Sequence, residues 1–202
     1  MSDIAALTVS LIRHAPPARE YLGTFLGLRD VPCSDEGRER ARRIRASMRG
    51  LRPHLVCSSP LRRALATAHV LFGPECEIAI DARLRERSFG EWEGQEVQEV
   101  RRAHPDAFHG RRLDPDVAPP GGETLDDLAR RVSTFLVDVA ERIGSEQAGP
   151  VVLVTHNGVI RMVRHLIEGV SLAEAFAQSV PHLEPIHLRT DQPALLRLRT
   201  AG

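Results

Sequence analysis

Residues 7–17 read LTVSLIRHAPP, and this stretch decides how the chain is organised. An apolar run of strand-forming residues ends abruptly in Arg13 and His14, and two prolines stop it. Residues 151–158, VVLVTHNG, repeat the arrangement: a second apolar run ends in His156. Short continuous apolar runs of this kind suit strands buried on both faces of a parallel sheet. Two such strands that deliver histidine at their ends point to one shared site.

Working outward, strands are expected at 6–13, 54–58, 76–81 and 151–155. A loop rich in proline and glycine fills 14–33. Ser34 caps a helix over 34–48, and a second helix, with Pro60 in its first turn, covers 59–72. A helix at 93–103 lies inside a segment, 82–121, rich in charge, glycine and proline. Residues 124–143 form a strongly amphipathic helix opened by Thr124 and Asp127, a capping-box arrangement. Another helix follows at 157–169. Two C-terminal stretches, PIHLRT (185–190) and ALLRLRT (194–200), read as closing strands that would pair as a hairpin. Strands alternating with helices give an α/β fold, a three-layer α/β/α sandwich with a mostly parallel central sheet. The chain forms one domain over 1–202, with 82–121 as an inserted lid or subdomain.

The 202 residues carry 27 basic and 27 acidic side chains, a formal net charge of zero. That balance argues against a nucleic-acid partner. No apolar run approaches the ~20 residues that span a bilayer, so no membrane association is expected. No basic residue precedes Arg13, which leaves no signal-peptide n-region. The three cysteines form no CxxC pair and suit a reducing, cytoplasmic location, with Cys57 as a small core residue. There is no lysine, so any cationic clamp must be arginine, whose fork matches carboxylate and phosphate.

In an open α/β sheet, ligands bind beyond the carboxyl ends of the strands. Arg13 and His14 stand after the first strand, Ser58, Ser59, Arg62 and Arg63 after the second, Glu86 after the third and His156 at the end of the fourth. Arginine forks with an imidazole suit a phosphoryl group, so the partner is a small phosphorylated substrate. A neutral histidine is a nucleophile toward phosphorus, and a carboxylic acid can protonate a leaving alkoxide. No HExxH, carboxylate ladder or Walker loop is present, so neither a metal nor a cofactor is expected.

Five blocks in order, LIRHA, SSPLRRALATA, LRERSFGEWEG, GGETLDDLARRV and VTHNGVIR, resemble the histidine phosphatase superfamily, also called phosphoglycerate mutase-like. The resemblance implies that His14 is the phosphorylated nucleophile and Glu86 the proton donor. It implies that Arg13, Arg63, His156 and the backbone N–H of Asn157 bind the phosphoryl group. Ala15, Pro16 and Pro17 depart from the family's usual motif. Glu20 stands where many members carry asparagine, which would remove a phosphate contact. Residues 23–37 resemble α-ribazole phosphatase-like members, with Leu28 in place of an arginine and Arg29 one place away to compensate.

Three functions follow. The first is a phosphomonoesterase working through a phosphohistidine. The second is a 2,3-bisphosphoglycerate-dependent mutase, with Arg101, Arg102, Arg111 and Arg112 mimicking the carboxylate clamp of longer members. The third is a non-catalytic phospho-ligand-binding module. Trp92 is expected to be a packing anchor, Arg62 solvated or structural, and Glu91 and Glu93 weaker acid candidates than Glu86. Glu123 would tie an active-site arginine or serve as a first-turn helix acid. His54, His69, His104, His109, His165, His182 and His187 have no ligand spacing and are read as surface or satisfied residues. The apolar edge of the C-terminal hairpin would offer a homodimer contact.

Overall fold

The two decisive strands lie side by side and parallel. In the computed structural model, which describes residues 6–143 and 149–200, β1 (Ala6–Arg13) and β6 (Val151–Thr155) pair from Val9 with Val151 to Arg13 with Thr155. The remaining elements, in chain order, are α1 (Asp35–Gly50), β2 (Leu55–Ser58), α2 (Arg62–Phe72), β3 (Ile78–Ile80), α3 (Val97–Ala103), β4 (Phe108–His109), β5 (Arg112–Leu113) and α4 (Leu125–Ile143). After β6 come α5 (Asn157–Glu168), α6 (Leu172–Ala177), β7 (Ile186–Asp191) and α7 (Gln192–Arg197). The main sheet has the order β3-β2-β6-β1-β7, parallel except for β7.

Strand alternation divides the core into two layers. Leu7, Val9 and Leu11 of β1, with Val151 and Leu153 of β6, pack against α4 and α5 through residues such as Leu128, Phe135 and Ile160. Ile12, Val152 and Val154 face the opposite way, against α1 and α2 through Ala41, Ala64, Ala68 and Leu71. Every residue of β6 is buried, as a strand covered by helices on both faces must be. The arrangement is the three-layer α/β/α sandwich expected from the sequence. Among the described residues, no helix is long and apolar enough to cross a membrane.

The local signals hold in detail. Ser34 accepts the Gly37 N–H at 2.9 Å, and Thr124 and Asp127 form their reciprocal cap. Cys57 is a core residue whose thiol burial pushes up to about 12. Several boundaries differ. Helix α2 starts at Arg62, because Ser59 precedes Pro60 and Leu61 is extended. Helix α3 starts at Val97, because Gly94 turns with φ +87°. Strand β3 is limited to three residues. One expectation is overturned: ALLRLRT is not a strand. Asp191 caps α7 by accepting the Ala194 N–H at 2.6 Å, Pro193 sits in the first turn, and Leu195 is buried. The C-terminal hairpin, and with it the edge that suggested a homodimer, is not formed; β7 pairs with β1 instead.

Candidate active site

Parallel register brings the strand ends together. The His14 N–H donates to the Thr155 carbonyl at 3.0 Å and the Ser59 N–H to that of Val154 at 3.1 Å, one step beyond each ladder. His14 and His156 therefore emerge as neighbours, ring centres 5.0 Å apart. Both are buried.

His14 is held for one chemical form. Its Nδ1 lies 2.7 Å from the Ala15 carbonyl oxygen and so carries the proton, leaving the lone pair on Nε2. Burial, then the charge of Arg63, hold its pKa well below the ordinary value, so the ring is neutral. His156 is depressed by burial and by His14, and its Nε2 meets the Ser59 Oγ at 2.8 Å. That oxygen also accepts the Leu61 N–H at 3.2 Å. His156 Nδ1 has no hydrogen-bond partner among the described residues.

The guanidinium groups show the same pattern. Arg63 is buried and donates to the carbonyls of Arg29 at 2.6 Å and Gly27 at 2.8 Å, while its Nε is buried and unpartnered. Arg13 donates to the Val180 carbonyl at 2.7 Å, and its Nε is unpartnered too. Buried donors are normally satisfied. Among the described residues, Arg13 Nε, Arg63 Nε, His156 Nδ1 and Asn157 Oδ1 are buried without a hydrogen-bond partner. Arg13, His14, Arg63, Glu86 and Asn157 line one cavity of about 270 Å³. His156 stands behind it, wholly buried. Asn157 opens α5, where a helix leaves its first N–H groups without internal acceptors.

Glu86 is set by a glycine. Its Oε1 accepts the N–H of Arg87 at 3.0 Å and of Gly158 at 2.9 Å. A Cβ at position 158 would stand 2.6 Å from that oxygen. Arg131 fixes the loop beneath: it pairs with Glu123 at 2.6 Å and donates to the carbonyls of Arg85 and Glu86. Glu123 thus ties an arginine that is not on the cavity wall. Glu93 is a brace, accepting the N–H groups of Leu28 and Phe89 at 3.0 Å each.

The departures from the family pattern resolve structurally. Ala15 is buried and donates its N–H to Thr67 Oγ1 at 2.9 Å; Thr67 in turn donates to the Arg63 carbonyl at 2.6 Å, which joins the end of β1 to α2. Glu20 is exposed and off the cavity wall, where Tyr21 and Leu22 lie instead. Arg29 does not replace the missing arginine, since its guanidinium lies over the Tyr21 ring. Arg62 is exposed, and its backbone N–H is bound by Asp30. Trp92 is buried with Phe25, Val100 and Phe108 in a third cluster that includes residues of 82–121. Of Arg101, Arg102, Arg111 and Arg112, only Arg112 lines a cavity next to the site.

His182 corrects the sequence reading. Its Nδ1 donates to the His14 carbonyl at 2.6 Å, its ring meets that of His14 edge-on at 5.1 Å, and it lines the cavity. Leu183 places it, with φ +66° and its N–H bonded to the Arg13 carbonyl. No motif announces a histidine set by a left-handed leucine.

The arrangement offers a neutral imidazole nucleophile, unpaired donors for an anion and a positioned carboxylate. Comparison with known proteins agrees. Residues 9–200 match the model of the histidine phosphatase superfamily, branch 1. The chain is 36% identical over 157 residues to a glucosyl-3-phosphoglycerate phosphatase of Mycolicibacterium vanbaalenii, covering 74% of this chain and 69% of that one. It is 36% identical over 167 residues to phosphoglycerate mutase-like protein 4 of Arabidopsis thaliana, covering 79% and 70%. A solved mycobacterial glucosyl-3-phosphoglycerate phosphatase superposes with a TM-score of 0.82 at 27% identity, covering 92% and 91%.

Proposed function

The chain belongs to the histidine phosphatase superfamily and is a phosphomonoester hydrolase; from that premise we propose that it works through a phosphohistidine at His14, without a metal, on a small phosphorylated metabolite. What supports this reading is a neutral His14 whose free lone pair is on Nε2, lining one cavity with Arg13, Arg63 and Glu86.

The substrate phosphoryl group binds between Arg13 and Arg63, with the N–H of Asn157 and the His156 imidazole as further contacts. At ~4 Å and an effective dielectric near 20, each arginine contributes on the order of 4 kcal/mol of Coulomb attraction per unit charge. His14 Nε2 attacks phosphorus in line. The N–P bond forms as the P–O bond to the alcohol breaks, and Glu86 gives its proton to the leaving oxygen. Glu86, now a carboxylate, takes a proton from water as that water attacks phosphorus and the N–P bond breaks. Phosphate leaves, and His14 and Glu86 return to their starting forms. The Ala15 carbonyl keeps the Nδ1 proton in place and stabilises the positive charge the ring gains. The segment 82–121 serves as a cap over the cavity, its aromatic cluster seated on Phe25 from the loop after β1.

The test is hydrolysis of p-nitrophenyl phosphate in EDTA, with acid-quench trapping of ³²P-labelled enzyme. Wild type should turn over and carry acid-labile label. H14A should carry none and lose roughly 10⁴-fold or more in kcat. Label that passes to 3-phosphoglycerate faster than to water would make the protein a mutase. Tight phosphate binding with no turnover on any phosphoester would make it a binding module.

A further inference from the structure

Three histidines gather at the phosphoryl cavity, and the reaction sequence above uses two of them, His14 and His156. The third, His182, lies on a segment clamped to the end of β1 by three hydrogen bonds. Arg13 donates to the Val180 carbonyl at 2.7 Å, the Leu183 N–H to the Arg13 carbonyl at 3.0 Å, and His182 Nδ1 to the His14 carbonyl at 2.6 Å. Leu183 is held at φ +66°, and its side chain is buried in the core layer beside α1 and α2. Strained residues of this kind concentrate where a fold must keep a neighbouring group in one place. The group kept in place here is the His182 imidazole.

That imidazole shares a cavity wall with Arg13, His14, Tyr21, Arg63 and Glu86, and meets the His14 ring edge-on at 5.1 Å. Its Nδ1 carries the proton given to the His14 carbonyl, so the neutral ring has its lone pair on Nε2. The ring is neutral because of burial first, then the charges of Arg13 at the end of β1 and Arg40 on α1; the bond to the His14 carbonyl opposes them, and the pKa falls to about 4.

A neutral Nε2 and a phosphoryl oxygen are both acceptors, and they meet only through a proton. A dianion entering the cavity also reverses the balance that keeps the ring neutral, because it offsets the charge of Arg13 and favours the imidazolium. We propose that His182 is a further phosphoryl-binding residue that takes up a proton as the anion enters, so that its Nε2–H donates to a phosphoryl oxygen. The proton comes from solvent on binding and returns to it when phosphate leaves; it takes no part in the transfer between Glu86 and the leaving oxygen. The inference rests on the reading of this cavity as the phosphoryl site.

Sulfate is the probe, because it is a dianion without a proton of its own between pH 5 and 7. Its Ki against p-nitrophenyl phosphate is measured for wild type and H182Q, which keeps a donor for the His14 carbonyl. From pH 5 to 7 the wild-type Ki should rise by about tenfold or more relative to that of H182Q, since only wild type must gain the His182 proton. Calorimetry at pH 5.5, in two buffers of different ionisation enthalpy, should count at least about half a proton more taken up by wild type on binding sulfate. Glu86, His14 and His156 remain in both proteins. A His182 that merely supports the backbone would weaken sulfate binding by the same factor at every pH; that result, or equal proton counts, overturns the proposal. Should H182Q melt below the assay temperature, wild type decides alone: a sulfate Ki unchanged between pH 5 and 7, with no proton taken up at pH 5.5, overturns it. A wild type inhibited by neither sulfate nor inorganic phosphate at any pH overturns the phosphoryl reading of the cavity together with the role of His182.

Discussion

The two cavities meet at Glu86 and are built by different means. The phosphoryl cavity hangs on the ends of adjacent parallel strands, so sheet register sets the distance between His14 and His156, and backbone carbonyls of Ala15, Gly27, Arg29 and Val180 aim its side chains. The second cavity is walled by α5, α6 and the short β4–β5 hairpin, and Arg112 is exposed. The strand ends are part of the main core, whereas the hairpin rests on a separate cluster around Phe25, Trp92 and Phe108. The cavity at the strand ends is set by the sheet, and the one beside it by segments outside the sheet, where sequence can vary with least disturbance of the core.

The largest effect separating the two regions should come from Arg63. R63M removes a buried cation from the phosphoryl cavity and two hydrogen bonds that hold the loop at 27–29. It should cost about 10²–10³ in kcat/KM, by the same factor for every phosphoester. A panel of esters with and without a second anionic group checks this. A substrate-dependent loss would dissolve the boundary between the cavities.

The next effect sits on the boundary itself. In G158A the new Cβ would stand 2.6 Å from Glu86 Oε1, so the carboxylate must move. Alanine suits a helix better than glycine, so α5 should not suffer. Loss of a placed general acid should slow alkyl phosphates by about 10²-fold and p-nitrophenyl phosphate by less than about tenfold, because nitrophenolate leaves without a proton. Equal losses on both would show that Gly158 matters for something other than Glu86.

This contrast also explains what could be read from sequence. His14, Arg63, Glu86 and His156 lie in compact blocks at strand ends, where apolar runs stop in polar residues, so fold and phosphoryl cavity were legible together. The C-terminal ALLRLRT was misread because alternating leucine and arginine mimics strand periodicity; the better signal was Asp191 followed by Pro193, a helix start. Arg161 lay in a recognised block but had no visible role, since its partner is the Gln178 carbonyl, seventeen residues away. His182 was illegible for a related reason. Its place depends on the positive φ of Leu183 and on hydrogen bonds to the carbonyls of Arg13 and His14, more than 160 residues earlier.

His182 gives the smallest and most specific test. Burial first, then the charges of Arg13 and Arg40, lower its pKa to about 4, while its bond to the His14 carbonyl acts the other way. Its unfolded value is near 6.5. Between these values the unfolded chain binds the proton and the folded chain does not, so stability is present above pH 6.5 and is lost as pH falls toward 4. H182Q keeps a donor for the His14 carbonyl and removes the titration. His14 and His156, also depressed, remain in both proteins; burial and Arg63 are the larger causes of the His14 shift, with His182 a lesser one. Wild type should therefore lose more thermal stability than H182Q between pH 7.5 and 5, by about 2–4 °C once partial exposure is allowed for. Parallel melting curves across that range would place His182 in solvent rather than against His14. The phosphoryl cavity would then be the work of the strand ends alone.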